Sequence, residues 1–156
     1  MRPVPFRCVI PPALFPWVLS LALAACGGPA APCSEHCLDV AGRYFFDFAA
    51  TDPDTSSCQE LYYTGFQDEL TLTQDGSKLT LSLLDGLPGV LREDDSADFD
   101  PFPGQTEAGE PGTVTFKLRF LGTPGSLRAE GSLTFLRTRD KCVATAPVQG
   151  QQLSSG

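Results

Sequence analysis

The chain has 156 residues, enough for one domain of ordinary size, and its 11 basic and 19 acidic side chains give a net charge of −8. Residues 1–25 contain two of the basic residues, Arg2 and Arg7, and no acid, so the rest of the chain has nine basic and 19 acidic side chains and a net charge of −10. Nucleic acids and anionic lipid headgroups attract basic surfaces, so this balance argues against a nucleic-acid-binding protein and against a protein held on lipid by charge.

An uncharged segment follows the two arginines and continues to Glu35. Within it, residues 13–25 form a mostly apolar run of 13 residues. A transmembrane helix needs roughly 20 apolar residues, whereas a secretory signal needs about 7 to 15 behind a basic start. Pro11, Pro12 and Pro16 would interrupt a longer helix. Residues 1–25 are therefore predicted to be an export signal.

The run ends in Leu23-Ala24-Ala25-Cys26, which resembles the lipobox of bacterial lipoproteins. The resemblance implies cleavage before Cys26, a diacylglycerol on its thiol and usually a third acyl chain on its amine, and several chains together anchor a protein stably. The family often has Asp after this Cys in proteins kept at an inner membrane, so Gly27 implies the outer membrane if the cell has one. Residues 26–39 are then the lipidated Cys and a tether without secondary structure. The alternative is an ordinary signal peptide that leaves Cys26 as a thiol or disulfide partner.

Four cysteines lie beyond the leader and the proposed anchor, namely Cys33, Cys37, Cys58 and Cys142. In an oxidising exported compartment they are expected to form two disulfides, and the sequence leaves three connectivities open. Sequence separation favours Cys58 with Cys142, because this pair closes the long loop, and leaves Cys33 with Cys37. The alternative for Cys33-Ser-Glu-His36-Cys37 is a zinc site completed by another cysteine.

From Val40 onward the apolar residues recur with period two, which is typical of β-strands. The pattern predicts strands at 43–48, 61–63, 66–72, 79–83, 90–92, 113–120, 126–135 and 142–148. Tyr44, Phe46 and Phe48 share one face of the first strand, and Asp75-Gly76 between two alternating runs predicts a hairpin. About seven or eight antiparallel strands predict an all-β domain over 40–150, either a small meander barrel or a β-sandwich, followed by a flexible tail at 151–156.

The residues that open the first strand, Val40-Ala-Gly42-Arg-Tyr44, together with the meandering hairpins, are similar to lipocalin-like and avidin-like barrels. Lipocalins have Trp two residues after that Gly, where this chain has Tyr44. The resemblance therefore implies the architecture of the domain and no ligand-binding residue.

Residues 93–112 show no strand pattern and contain seven carboxylates, which predicts a long, solvated acidic loop. Its Phe99 and Phe102 are expected either to anchor a partner or to cover an open end of the barrel. The spacing does not fit an EF-hand, since Pro103 stands where the loop needs Gly if Asp98 is the first ligand. No metal site is predicted, and the weak calcium candidates are Glu93, Asp94, Asp95, Asp98 and Asp100.

The sequence contains neither a catalytic motif nor a histidine besides His36, so we expect no enzyme and no cofactor other than a covalent lipid on Cys26. It predicts a lipid-anchored cell-envelope protein whose non-catalytic β domain has a structural role or contacts another envelope protein. The alternative is a carrier of a small apolar ligand inside the barrel. The barrel interior decides between them, because no cavity remains if the inward phenylalanines pack together, the candidates being Phe45 or Phe46, Phe66, Phe116, Phe120 and Phe135.

Overall fold

The structure of the chain, a computed structural model, describes residues 29–52, 54–58 and 64–154. These residues form nine strands: β1 Gly42–Phe48, β2 Phe66–Asp75, β3 Lys78–Leu81, β4 Leu87–Leu91, β5 Ser96–Phe99, β6 Phe102–Gln105, β7 Pro111–Leu121, β8 Arg128–Arg137 and β9 Val143–Gln152. The all-β prediction is confirmed. The predicted leader, Cys26 and the expected strand at 61–63 lie outside the described residues. Among the residues described, no helix is long and apolar enough to cross a membrane.

The strands form one antiparallel sheet that closes on itself. Its order is β5-β4-β3-β2-β1-β9-β8-β7, and β5 pairs back onto β7 through Ser96 with Arg119 and Ala97 with Leu118. Eight strands therefore complete a ring, and β6 pairs with the other half of β7 as an additional strand. Of the two predicted architectures, the barrel is the one the chain adopts, and closure removes the edges that an open sheet would expose.

The two predicted hairpins, β2–β3 and β7–β8, are present in the structure. β2 and β3 are joined by the two residues after Asp75, which pairs with Lys78, and Gly76 adopts a positive φ of 60° at the first turn position. β7 and β8 pair from Gly112 with Arg137 to Leu121 with Arg128. Alternation then places every second residue of these strands inside the barrel.

Large side chains fill the interior of the barrel. Tyr44, Phe46 and Phe116 are fully buried, with 0% of each side chain exposed. The Phe116 ring centroid lies 6.3 Å from that of Phe46 and 5.2 Å from that of Phe99. Gly150 leaves the space that Phe46 occupies, since a Cβ there would lie 2.5 Å from the ring. Aromatic side chains therefore pack against one another in the middle of the barrel.

The inward phenylalanines match the expected set only in part. Phe46, Phe116 and Phe120 are buried in the core. Phe45 points outward and is 43% exposed, whereas Phe66 is 41% exposed although its ring stacks on Phe48 at 4.3 Å. Leucines make up much of the rest of the core, and five of them are almost completely buried: Leu72, Leu79, Leu81, Leu91 and Leu127.

The prediction of a loop over 93–112 is wrong, because this segment contains β5, β6 and the first two residues of β7. Ala97 and Phe99 point into the core, and Phe99 is only 4% exposed. Asp98 lies on the opposite face, where the Arg92 and Lys117 side chains neutralise it. A partner-anchoring role for Phe99 is therefore wrong, and Phe102 is half-buried against the same core.

Two predicted flexible segments are also shorter than expected. Residues 151–152 belong to β9, and the Leu153 N–H donates to the carbonyl of Arg43 at 2.8 Å, so the domain continues into the predicted tail. At the other end of the chain, the part of the predicted tether from Ala30 onward lies against the barrel. Backbone hydrogen bonds to the sheet hold it there, and its buried residues join the core.

Candidate functional site

One end of the barrel is covered by the residues that precede β1, and we call it the closed end. Cys33 N–H donates to the Leu91 carbonyl at 2.9 Å, and the Gln74 side chain donates to the Leu38 carbonyl at 3.0 Å while accepting from Val40 N–H at 2.8 Å. Val40 and Leu127 are fully buried here. The hydroxyl of Tyr44 donates to the Val40 carbonyl at 2.8 Å, and burial raises the pKa of this tyrosine well above its usual range, with the Asp39 charge adding to the effect.

A disulfide between Cys33 and Cys37 closes the covering segment on itself, with Cα atoms 5.6 Å apart. His36 lies in the exposed loop between the two cysteines. Because both sulfurs are bonded to each other, they do not offer the thiolates that the zinc alternative requires. The second disulfide joins Cys58 to Cys142, with Cα atoms 5.2 Å apart, so the structure has the connectivity that sequence separation favoured.

The opposite end of the barrel opens into a hollow of about 620 Å³, which we call the cup. Its apolar wall consists of side chains from β7, β8 and β9 that lie in matched register: Val114 faces Phe135, which faces Ala144, and Leu133 faces Ala146. The small Ala144 and Ala146 side chains leave the space that larger residues would fill. Polar side chains form the rim of the cup, among them Thr51, Thr64, Thr106, Glu107 and Glu110.

The connection that follows β1 forms one side of the cup by pairing along β9. Asp52 N–H donates to the Thr145 carbonyl at 2.8 Å, and the Ser56 and Ser57 hydroxyls accept from the backbone N–H groups of Thr145 and Val143. The Cys58–Cys142 disulfide fastens the same segment to the turn between β8 and β9. Beyond the end of β1, the segment that follows it therefore takes its place beside β9 and forms that side of the cup.

A buried arginine, Arg137, joins two loops at the rim of the cup through ion pairs. Arg137 is 3% exposed, and its guanidinium donates to Glu110 at 2.9 Å and, through two nitrogens, to both carboxylate oxygens of Asp140 at 2.9 and 2.5 Å. Arg139 pairs with the other oxygen of Glu110 at 2.6 Å. The hydrogen bonds from Arg137, with a smaller contribution from the Cys142 N–H, lower the pKa of Asp140 to about 2. The cluster joins the β6–β7 loop to the β8–β9 turn.

The weak calcium candidates do not come together. Glu93, Asp94 and Asp95 follow β4 in a turn at the closed end, where Asp94 accepts from the Ser96 hydroxyl at 2.6 Å and its pKa is lowered by that bond. Asp98 is occupied by Arg92 at 3.0 Å and Lys117 at 3.4 Å, and Asp100 lies between β5 and β6. Within the described ranges, no three His, Cys, Asp or Glu side chains are grouped in a way that could hold a metal ion.

Comparison with known proteins adds no family to these observations. No protein-family model matches the chain, and neither a curated protein nor a solved structure is significantly similar to it. The functional features of the described residues are therefore the covered closed end and the open cup at the two ends of the barrel.

Proposed function

We propose that this chain is a bacterial lipoprotein, anchored in the cell envelope by lipid on Cys26, whose β domain has a structural or interaction role without catalysis. The observation that carries the proposal is the position of the domain directly behind Leu23-Ala24-Ala25-Cys26, with folded residues beginning only four positions after Cys26. The two disulfides are consistent with an oxidising compartment outside the cytoplasm. Gly27 after the cysteine supports the outer membrane as the address, if the cell has one.

The packed interior supports a structural or interaction role over transport inside the barrel. Eight-stranded barrels are just wide enough for their own side chains or for one small ligand. Here the aromatic and leucine side chains take that space. The chain's one histidine lies at the closed end, away from the polar groups around the cup, so the proposal assigns no acid–base pair to the domain.

Replacing Cys26 tests the anchor. We expect the Cys26→Ser variant to lose all incorporation of an alkyne-labelled palmitate analogue and to leave the membrane fraction, because serine offers no thiol for the thioether bond. The Cys8→Ser variant is the matched control, since it removes a leader cysteine and leaves the proposed lipobox intact. Label retained by Cys26→Ser, or lost equally by both variants, would show that Cys26 is not the lipid-bearing residue.

The cup favours a second candidate function, the binding of a small neutral molecule with an apolar body. Its volume of about 620 Å³ lies within the range of ligand pockets, roughly 300–1,000 Å³, and it combines an apolar wall with hydroxyl groups at the rim. This differs from a carrier that encloses its ligand within the barrel, because the ligand would occupy the end of the barrel.

Filling the cup tests this second function. We expect N-phenyl-1-naphthylamine, a neutral fluorescent probe, to bind the protein saturably, and Ala144→Phe to weaken that binding at least about tenfold, equivalent to ~1.4 kcal/mol. Gln149→Phe adds the same ring to the outer face of β9 and should leave binding unchanged. Absence of saturable binding to the native chain, or equal binding by both variants, would reject the cup as a ligand site.

A further inference from the structure

We infer that the domain stands on the membrane by its closed end, with the cup facing the aqueous space on the far side. The inference rests on the proposed lipidation of Cys26 and adds an orientation to it. In this orientation the closed end faces the lipid surface, and the cup is accessible to molecules in the aqueous phase.

The described segment nearest to Cys26 is bonded to the closed end. The Arg92 guanidinium donates to the Ala30 carbonyl at 3.0 Å, Glu93 N–H donates to the Ala31 carbonyl at 3.0 Å, and Pro32 forms a β-bridge with Arg92. These bonds fix the chain to the closed end from Ala30 onward. Ala30 is four positions after Cys26, and an extended chain spans at most ~3.5 Å per residue, so these two residues can be no more than ~14 Å apart.

The length of the strands sets the distance between the closed end and the cup. β9 has ten residues and runs from the cup to the closed end, where Gln152 N–H donates to the Leu127 carbonyl. At ~3.3 Å per residue and a strand tilt of about 40°, this corresponds to roughly 20–25 Å along the barrel axis. The tether is shorter than this height, so an anchored domain that stands upright holds its cup away from the headgroups.

Apolar side chains elsewhere on the surface would compete with the closed end for the membrane. The exposed large apolar residues belong to different elements, namely Phe45 on β1, Phe66 on β2, Leu84 between β3 and β4, Leu121 at the end of β7 and Leu136 on β8. Phe66, Leu84 and Leu136 lie toward the cup end, so the short tether, and not apolar exposure, is what favours the closed end. At the closed end, Leu121 is 40% exposed beside the uncharged loop 122–126. No contiguous apolar stripe on the described strands would lay the barrel on its side.

An acidic turn lies at the closed end, and its negative charge bears on how this end is held near the membrane. Glu93, Asp94 and Asp95 lie beside the segment that leads to Cys26. These carboxylates repel anionic headgroups, so this turn does not draw the closed end to the bilayer, and the proposal assigns that role to the covalent lipid. The unlipidated domain should therefore stay in solution with either end free.

Two single tryptophans test the orientation, because the only native Trp, Trp17, lies in the predicted leader and is absent after cleavage. Thr123→Trp marks an exposed loop at the closed end, and Ala108→Trp marks an exposed loop at the cup. Each full chain is purified in lipidated form, and loss of the leader is checked by mass spectrometry. It is then reconstituted into phosphatidylcholine vesicles that contain dansyl-phosphatidylethanolamine.

We expect energy transfer to the dansyl headgroup to be at least threefold more efficient from Trp at position 123 than at position 108. Equal transfer, or greater transfer from position 108, in protein that floats with the vesicles would overturn the orientation while leaving the anchor in place. Failure of the protein to float would instead overturn the anchor, and with it the inference. Pro124→Trp and Glu107→Trp give a second pair of exposed positions at the same two ends if either first variant unfolds.

Discussion

Removing the Cys58–Cys142 disulfide, by changing both cysteines to alanine, is expected to lower the free energy of unfolding by about 4.5 kcal/mol. The two cysteines are 84 residues apart, so the bond closes most of the domain into one loop and restricts the unfolded chain strongly. It also fastens the segment after β1 to the β8–β9 turn. Urea denaturation at pH 7, followed by far-ultraviolet circular dichroism, measures the difference.

The other disulfide provides the matched control. Cys33 and Cys37 are four residues apart, and the same chain-entropy relation gives about 2 kcal/mol for the corresponding pair of alanines. The double variants differ in loop length but not in the number of sulfurs removed. Equal losses of stability would show that strain or native contacts, and not loop closure, determine what these bonds contribute.

The alternation of apolar residues was sufficient to predict the strands that lie between solvent and core. Tyr44, Phe46 and Phe48 on β1 are buried, and their neighbours on the chain are exposed, as period two requires. The Asp75-Gly76 signal predicted the β2–β3 hairpin, whose two turn residues in the structure are Gly76 and Ser77. These are local properties, because a strand with one dry face and a tight turn each show themselves within about ten residues.

Closure of the barrel could not be predicted in this way, because the strand that closes it looked like a loop. β5 has only four residues, and Pro101 interrupts the chain before β6. Its inward residues, Ala97 and Phe99, are an alternating pair too short to stand out among carboxylates. Asp98 is acceptable in a strand because Arg92 and Lys117 lie beside it, a relationship that depends on contacts across the sheet.

The period-two pattern of apolar residues did not predict the cup either. Its wall combines inward residues of three strands, of which Ala144 and Ala146 are small and therefore leave a hollow. Its rim depends on Arg137, which ends β8 in the structure but lies two positions beyond the strand predicted at 126–135. The two alanines at successive inward positions near the start of β9, Ala144 and Ala146, are the one sequence signal that could have indicated unfilled space.

Truncating Phe116 to alanine is expected to lower the free energy of unfolding by about 3–5 kcal/mol, because the ring is fully buried and removing it leaves a cavity. Its centroid lies 6.0 Å from that of Phe48 as well as near those of Phe46 and Phe99, so several neighbours lose contacts together. Phe45→Ala removes the same side chain from the outer face of β1 and should cost less than about 1 kcal/mol. Chemical denaturation of both variants gives the comparison.

The same experiment bears on what the barrel can contain. If the interior is the packed core that the ring contacts describe, the Phe116→Ala cavity should bind a small apolar probe such as benzene, while the native barrel interior should not, since an apolar cavity of sufficient size stays dry and accepts such molecules. A loss below about 1 kcal/mol for Phe116→Ala would mean that the ring is not tightly enclosed. The barrel interior would then have space for a ligand, and binding inside the barrel would again be an alternative to binding in the cup.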